Sequence, residues 1–159
     1  MYCDYIQSDI GYWIIESNDN KLLSIGYKPQ KTKFEPQKNE ITQKAYRQIE
    51  KYFSGDAVNF NIPLETENYT AFYKSVWKEV AKIPYGLTTS YNNISKTLNN
   101  PKAVRAVGSA IGKNPFPIII PCHRVIGSNG QLTGYAFGLE VKEWLLQLEG
   151  YLPVTMRLF

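Results

Sequence analysis

Pro121-Cys122-His123-Arg124 sets a thiol beside the only histidine of the sequence. Attack on carbon needs a thiolate, and a free cysteine ionises only near pH ~8.5, so a neighbouring base or cation would be needed to activate Cys122. In a regular strand, adjacent side chains point to opposite faces. Cys122 and His123 can therefore cooperate only if the backbone turns or a water bridges them, and Pro117 and Pro121 leave room for a non-strand path. The competing reading is a small buried apolar cysteine, a common fate of that residue. The second cysteine, Cys3, lies far away in sequence. Two cysteines and one histidine fall short of an ordinary four-ligand zinc site without carboxylates, and a single bridge from Cys3 would be an odd framework for this chain. No metal and no cofactor are expected.

The elements that must position this segment read as an α+β chain. Gly11–Glu16 and Leu22–Tyr27 are β-rich runs around the turn signal Asn18-Asp19-Asn20, a hairpin pattern. Residues 28–39 are polar and contain Pro29 and Pro36, so a loop is expected. Ala45, Ile49 and Phe53 recur at helical spacing over 41–53, ended by Gly55. Phe60–Pro63 resembles a short edge strand. A second part begins near Asn68. Phe72, Val76, Val80 and Ile83 share a helical face stopped by Pro84-Tyr85-Gly86. Thr89 or Ser90 can cap a short helix to Leu98. Asn100 as N-cap and Pro101 at the first position would start another to Ile111, burying Val104, Val107 and Ile111. Two short helices joined by a tight turn form the helix-turn-helix pattern, which also occurs in proteins that never touch DNA. Phe116–Pro121 reads as a buried extended strand leading to Cys122. Val141, Trp144, Leu145 and Leu148 mark a last amphipathic helix closed by Gly150. The expected organisation is an N-terminal α/β domain over 1–67 with a short antiparallel sheet and a helix, a mostly helical domain over 68–152 with the helix-turn-helix and the active-site loop, and a tail over 153–159.

The net charge of +4 is unevenly placed. Residues 1–60 are balanced, whereas from Asn68 to Gly138 eight basic residues face one acid, Glu79. Such a field suits a polyanion, since each neutralised phosphate releases counterions, although a solvated basic face has the same composition. The helix over 101–111 carries Ala103, Ala106, Ser109 and Ala110 around Arg105. Small residues allow close approach to a partner surface, and an arginine there can enter a groove or stack on a base; close helix–helix packing is the alternative. No apolar run reaches the ~20 residues of a membrane span, and Met1-Tyr2-Cys3-Asp4 has no apolar signal core, so a cytoplasmic protein is expected.

Pro121-Cys122-His123-Arg124-Val125-Ile126 resembles the active-site signature of O6-alkylguanine-DNA alkyltransferases, the methylated-DNA–protein-cysteine methyltransferases. The likeness continues through Gly130, Gly134-Tyr135, Gly138-Leu139, Lys142-Glu143-Trp144-Leu145-Leu146 and Glu149-Gly150. Upstream it takes in Ile83-Pro84-Tyr85-Gly86, Ser90-Tyr91, the run Asn100–Gly108, and Asn114-Pro115. The resemblance covers about residues 70–150 in register and implies direct-reversal DNA repair: irreversible, single-turnover transfer of the alkyl group of O6-alkylguanine in duplex DNA onto Cys122 after base flipping. It implies His123 as base through a water, Glu149 as its orienting partner, Tyr135 as donor to the leaving guanine, and Asn114 as hinge. Arg105 would replace the flipped base and Tyr91 would help turn the target phosphate, with Lys102, Ala103, Ala106 and Ser109 on the DNA face. Pro117, Ala136, Phe137 and Gly138 would line the pocket, Phe137 standing where many relatives have a small residue. Arg124 would be a structural hydrogen-bonding residue. A monomer acting on double-stranded DNA, with no obligate protein partner and no membrane, is implied. The rival reading is a non-catalytic helix-turn-helix protein that binds lesions, against which stand Cys122, His123, Tyr135 and Glu149 together. A Cys-His hydrolase would leave the basic helix pair unexplained.

Overall fold

Alternation along Gly11–Ser17 buries Trp13, Ile15 and Ser17 and turns Tyr12, Ile14 and Glu16 the other way, the period-2 pattern of a half-covered strand. In the computed structural model, which describes residues 1–31 and 33–152, this strand (β2) is central in a three-stranded antiparallel sheet, ordered β1-β2-β3. β1 is Tyr2–Ser8 and β3 is Leu22–Lys28. The β2–β3 hairpin is the one expected; β1 was not anticipated, because its apolar residues are sparse. Its register with β2 runs from Tyr2 opposite Ser17 to Ser8 opposite Gly11.

Helix α1, Glu40–Phe53, buries Thr42, Ala45, Ile49 and Tyr52 and packs over β1 and β2. Its start is a reciprocal capping box: the Asn39 side chain accepts from Thr42 N–H while the Thr42 hydroxyl accepts from Asn39 N–H, both at 2.9 Å, satisfying two otherwise orphaned donors. Asn39 also donates to Asn18 O and accepts from Ser17 Oγ, tying the helix entry to the end of β2. Phe60–Pro63 forms no strand; pairing is confined to one parallel bridge, Leu22 with Leu64.

The chain divides into Met1–Asn68 and a second unit starting at Tyr69. The second holds α2 (Ala71–Val80), α3 (Tyr91–Thr97), α4 (Val104–Gly112) and α5 (Leu139–Leu148). It also has the parallel pair β4 (Thr89–Ser90) and β5 (Val125–Ile126). Helices α2, α3 and α4 pack together, pinned by Trp77 Nε1 donating to Ala110 O at 2.8 Å. Ser90 caps α3 through Asn93 N–H. α4 starts three residues later than Pro101. Residues before proline avoid the α region, and Asn100–Ala103 instead closes as a turn, with Ala103 N–H on Asn100 O at 3.0 Å. Asn100 therefore caps nothing; Ala103 is the N-cap and offers no side-chain bond. Val104, expected inside, is only half-buried, whereas Val107, Ala110 and Ile111 are buried. Residues 153–159, expected as a tail, lie outside the described residues. Among the described residues no helix is long and apolar enough to cross a membrane.

Candidate active site

Phe116–Pro121 is not the strand its apolar character suggests. It is a turn, closed by Ile120 N–H on Phe116 O at 2.9 Å, in which Ile118 is fully buried at φ 76°. A β-branched residue there is strained by about 1–3 kcal/mol, the kind of cost found where surrounding structure over-determines a functional segment. Asn114 holds the turn from both sides: its Nδ2 donates to Ile120 O and its Oδ1 accepts from Phe116 N–H, each at 2.8 Å. The tight packing and hydrogen bonds of this segment replace a sheet ladder, a choice hydrophobicity alone does not reveal.

The turn delivers Cys122–Arg124 as one turn of 3-10 helix. The backbone curvature that cooperation between Cys122 and His123 requires is thus present. Both side chains, with Arg124, are buried. β5 follows at once and pairs with β4, Thr89 opposite Val125 and Ser90 opposite Ile126, which fixes the start of α3 beside the cysteine segment. Strands of two residues carry too little pattern to be read from sequence.

Glu149, the C-cap of α5, is the buried charge behind the turn. Its Oε2 lies 2.5 Å from His123 Nε2 and 3.0 Å from Arg124 Nη2. Its Oε1 accepts from Arg124 Nε at 2.8 Å and from Gly86 N–H at 3.1 Å. Arg124 Nη1 completes the network on Ile83 O at 2.7 Å. Gly86 sits at φ 79°, and a Cβ there would come 3.2 Å from Glu149 O, so glycine is what lets this backbone donor reach the carboxylate. A carboxylate with four donors is acceptor-only; His123 must therefore donate through Nε2, leaving Nδ1 as the nitrogen that can take a proton. Burial pushes His123 below its ordinary pKa, against the raising effect of Glu149, so the ring is held neutral and its Nδ1 is open to take up a proton.

Burial likewise pushes the Cys122 thiol up, opposed by a hydrogen bond from Asn114, the charge of Lys142 and the Tyr135 hydroxyl. The resting sulfur is a neutral thiol that must be deprotonated to react. It opens on a cavity of about 170 Å³ lined by Tyr91, Gly108, Ile111, Gly112, Asn114, Pro117, Gly134, Tyr135, Ala136 and Phe137. The buried Tyr135 hydroxyl makes no hydrogen bond of normal geometry and faces Cys122; burial first, then that sulfur, holds it well above the usual tyrosine range. Phe137 packs edge-on against the Tyr135 ring, centroids 5.8 Å apart.

Cys122, Asn114, Pro117, Tyr91, Tyr135, Ala136 and Phe137 are brought together by this cavity, with His123 and Glu149 behind it. Gly138 is not among its lining residues; it precedes α5 at φ 99°. Lys102, Arg105, Ala106 and Ser109 are exposed beside or on α4, and Ala103 is half-buried. Sequence reasoning gave no role to Lys142, which is fully buried. Lys142 lies outside the stripe Val141, Trp144, Leu145 and Leu148 read from the sequence; α5 instead buries Val141, Lys142, Leu145 and Leu146 and leaves Trp144 and Leu148 half-buried. Among the described residues no group of three His, Cys, Asp or Glu could hold a metal, and both cysteines are free thiols.

Two family models cover nearly all of the chain. "6-O-methylguanine DNA methyltransferase, ribonuclease-like domain" matches residues 1–66, and "6-O-methylguanine DNA methyltransferase, DNA binding domain" matches 71–151. The chain belongs to the 6-O-methylguanine DNA methyltransferase family. It is 45% identical over 155 residues to the methylated-DNA–protein-cysteine methyltransferase of Methanosarcina acetivorans, covering 94% of this chain and 99% of that one. Identity to the Haemophilus influenzae protein of the same name is 40%, over 94% and 86% of the two chains. A Mycobacterium tuberculosis structure described as OGT in complex with DNA superposes with a TM-score of 0.83 at 36% identity, over 97% of this chain and 96% of that one. Membership in the 6-O-methylguanine DNA methyltransferase family makes the chain a DNA-repair enzyme of the methylated-DNA–protein-cysteine methyltransferase class.

Proposed function

We propose that the protein acts once, moving the alkyl group of an O6-alkylguanine flipped out of duplex DNA irreversibly onto Cys122. The observation that carries this reading is a buried thiol at the floor of a cavity, backed by a neutral histidine on a fixed carboxylate. The Cys122 proton passes through a water to His123 Nδ1, whose developing positive charge Glu149 offsets. The sulfur electron pair forms the S–C bond. The C–O6 bond breaks with its pair remaining on guanine, which takes up a proton, so the balance is thiol plus alkylguanine to thioether plus guanine. Tyr135, whose proton is held tightly, assists as a hydrogen-bond donor to the departing base. A thioether is chemically stable, which supports a single turnover.

The target carbon is out of reach inside a duplex, so the base must leave the stack at a cost of a few kcal/mol. Arg105, exposed among Ala106, Ser109 and the half-buried Ala103, takes the vacated place, and Lys102 and Tyr91 serve the backbone. Contacts mainly to the backbone suit an enzyme that must act in any sequence. The DNA complex of the Mycobacterium tuberculosis relative supports the same partner here. The protein works as a monomer in the cytoplasm, without cofactor or obligate partner.

The test is intact-protein mass after mixing with a duplex holding one O6-methylguanine. The wild type should gain one methylene unit on the Cys122 peptide, and Cys122→Ala should gain none while still binding the duplex. Tight binding without any gain by the wild type would turn the assignment to lesion recognition alone.

A further inference from the structure

Helix α4 buries Val107, Ala110 and Ile111 on one side. Its other side is uncovered: Arg105, Ala106, Ser109, Gly112 and the C-cap Lys113 are all exposed. Arg105, Ser109 and Lys113 follow at i, i+4 and i+8, one ridge of the helix, with a cation at each end. At the Lys113 end the first turn of α2 comes in. Lys113 Nζ stands over the Tyr73 ring, 5.7 Å from its centroid. Lys113 holds the Tyr73 phenol below its ordinary pKa, opposed by burial and helped by Ser109, so an ammonium and two hydroxyls converge on one spot. Among the described residues no carboxylate pairs with Lys113. Glu79, the one acid between Asn68 and Gly138, is taken by Lys82 at 2.8 Å.

We propose that Lys113, steadied by Tyr73 and Ser109, is the anchor for one backbone phosphate of the duplex, about two helical turns along α4 from Arg105. The inference rests on the reading of α4 as the helix that meets the DNA.

Eight residues at about 1.5 Å each set the two cations about 12 Å apart along the helix. The grooves of B-DNA are about 6 and 12 Å wide. With Arg105 at the base stack, Lys113 therefore falls at a groove edge, where the phosphates lie, whichever groove α4 enters. The chemistry of the spot suits that ligand. Phosphate oxygens only accept hydrogen bonds, and an ammonium, a serine hydroxyl and a tyrosine hydroxyl can all donate them. A lysine that reaches a phosphate from free solution gives up much rotamer freedom. Here the ring of Tyr73 already restricts the side chain, which lowers the cost of binding. The competing account is a surface pair that only joins α2 to α4. Such a pair would answer neither to salt nor to DNA.

The test is the salt dependence of duplex binding by the full chain. Each phosphate contact adds about 0.9 to the slope of log affinity against log salt. Lys113→Met should lower the slope by that amount, so that its deficit narrows about threefold between about 50 and 200 mM salt. Lys113→Arg should keep the wild-type slope. Tyr73→Phe, which keeps ring and charge but loses the hydroxyl, should bind about threefold more weakly with the slope unchanged. Methylphosphonate substitution, one phosphate at a time on both strands around an O6-methylguanine, then locates the contact. The wild type should lose affinity at one position where Lys113→Met loses nothing further. Equal sensitivity of the two proteins at every position would reduce Lys113 to a share of the general positive field and overturn the proposal. An unchanged slope with a lowered melting temperature for Lys113→Met would overturn it in favour of the structural pair. Free O6-benzylguanine needs no duplex, so a loss on it as large as the loss on duplex would place Lys113 in the cavity beside Asn114 and overturn the anchor too. If the wild type binds no duplex at all, the reading of α4 fails and takes the anchor with it. If the wild type binds and transfers while Lys113→Met matches it throughout, the anchor fails alone.

Discussion

The two units bury different things. Among the described residues of the first unit, Asp4 is the sole buried charged side chain, and the rest of its interior is apolar or hydroxylic, from Trp13 and Ile15 to Ser17 and Thr42. The second unit buries Arg124, Lys142, Glu143 and Glu149 beside His123. Buried charge is expensive and is tolerated only where partners satisfy it fully. The first unit is therefore held by many local, replaceable contacts. The second is held partly by the linked His123, Arg124 and Glu149, in which each member depends on the others, and that trio lies behind the reactive thiol.

Glu149→Ala strikes hardest at this contrast. It leaves Arg124 and His123 buried without their counter-charge, and breaking such a network costs about 3–5 kcal/mol. Chemical denaturation should register that loss, and the transfer rate of the remaining folded protein should drop at least a hundredfold. A loss below about 1 kcal/mol would break the comparison, because the second unit would then be as tolerant as the first. Arg105→Ala should do the reverse. Its side chain is exposed, so stability should move by no more than about 0.5 kcal/mol, while transfer from duplex falls tenfold or more and reaction with free O6-benzylguanine is nearly unchanged. Equal losses on both substrates would remove Arg105 from the base-flipping step.

Acid probes the same network more gently. His123 is held below its ordinary value mainly by burial, so the unfolded chain takes up a proton there before the folded chain does. Stability then declines as pH falls below about 6.5, the unfolded-state value, and levels off once the folded histidine is protonated too. Melting temperature measured from pH 7.5 to 5 should show this slope, and His123→Gln should lessen it; an unchanged slope would place the acid sensitivity elsewhere. The smallest effect belongs to the first unit. Asn39→Ala removes one half of the α1 capping box and should cost about 1 kcal/mol, read by denaturation, with no change in the transfer rate constant.

What the sequence made legible follows the same division. The hairpin of β2 and β3 and the length of α1 were readable because period-2 and period-3.6 patterns record which side faces a core. Cys122 and His123 stood out as a thiol beside the sole histidine, with a buried apolar cysteine as the competing reading, whereas Glu149 entered only through the family resemblance; nothing in the spacing alone says that a residue near the end of α5 returns to the cysteine turn. Phe116–Pro121 was misread as a strand because its apolar density records burial and not backbone path, which Asn114 and the strained Ile118 decide. The late start of α4 was missed because Asn100-Pro101 matches a helix start in composition, while the local hydrogen bonds favour a turn. Lys142 was overlooked because it falls beside the stripe read for α5, where a charged residue gives no sign that it reaches inward to three carbonyls.

The position of Glu149 also orders events in time. It lies 26 residues beyond His123, and a chain grows from its N-terminus at roughly 5–20 residues per second. For a second or more during synthesis, Cys122 and His123 have been made while the carboxylate that neutralises Arg124 and orients His123 has not. The growing chain therefore carries its thiol with no base in position behind it. The base behind Cys122 is set only once the chain has been made through the end of α5.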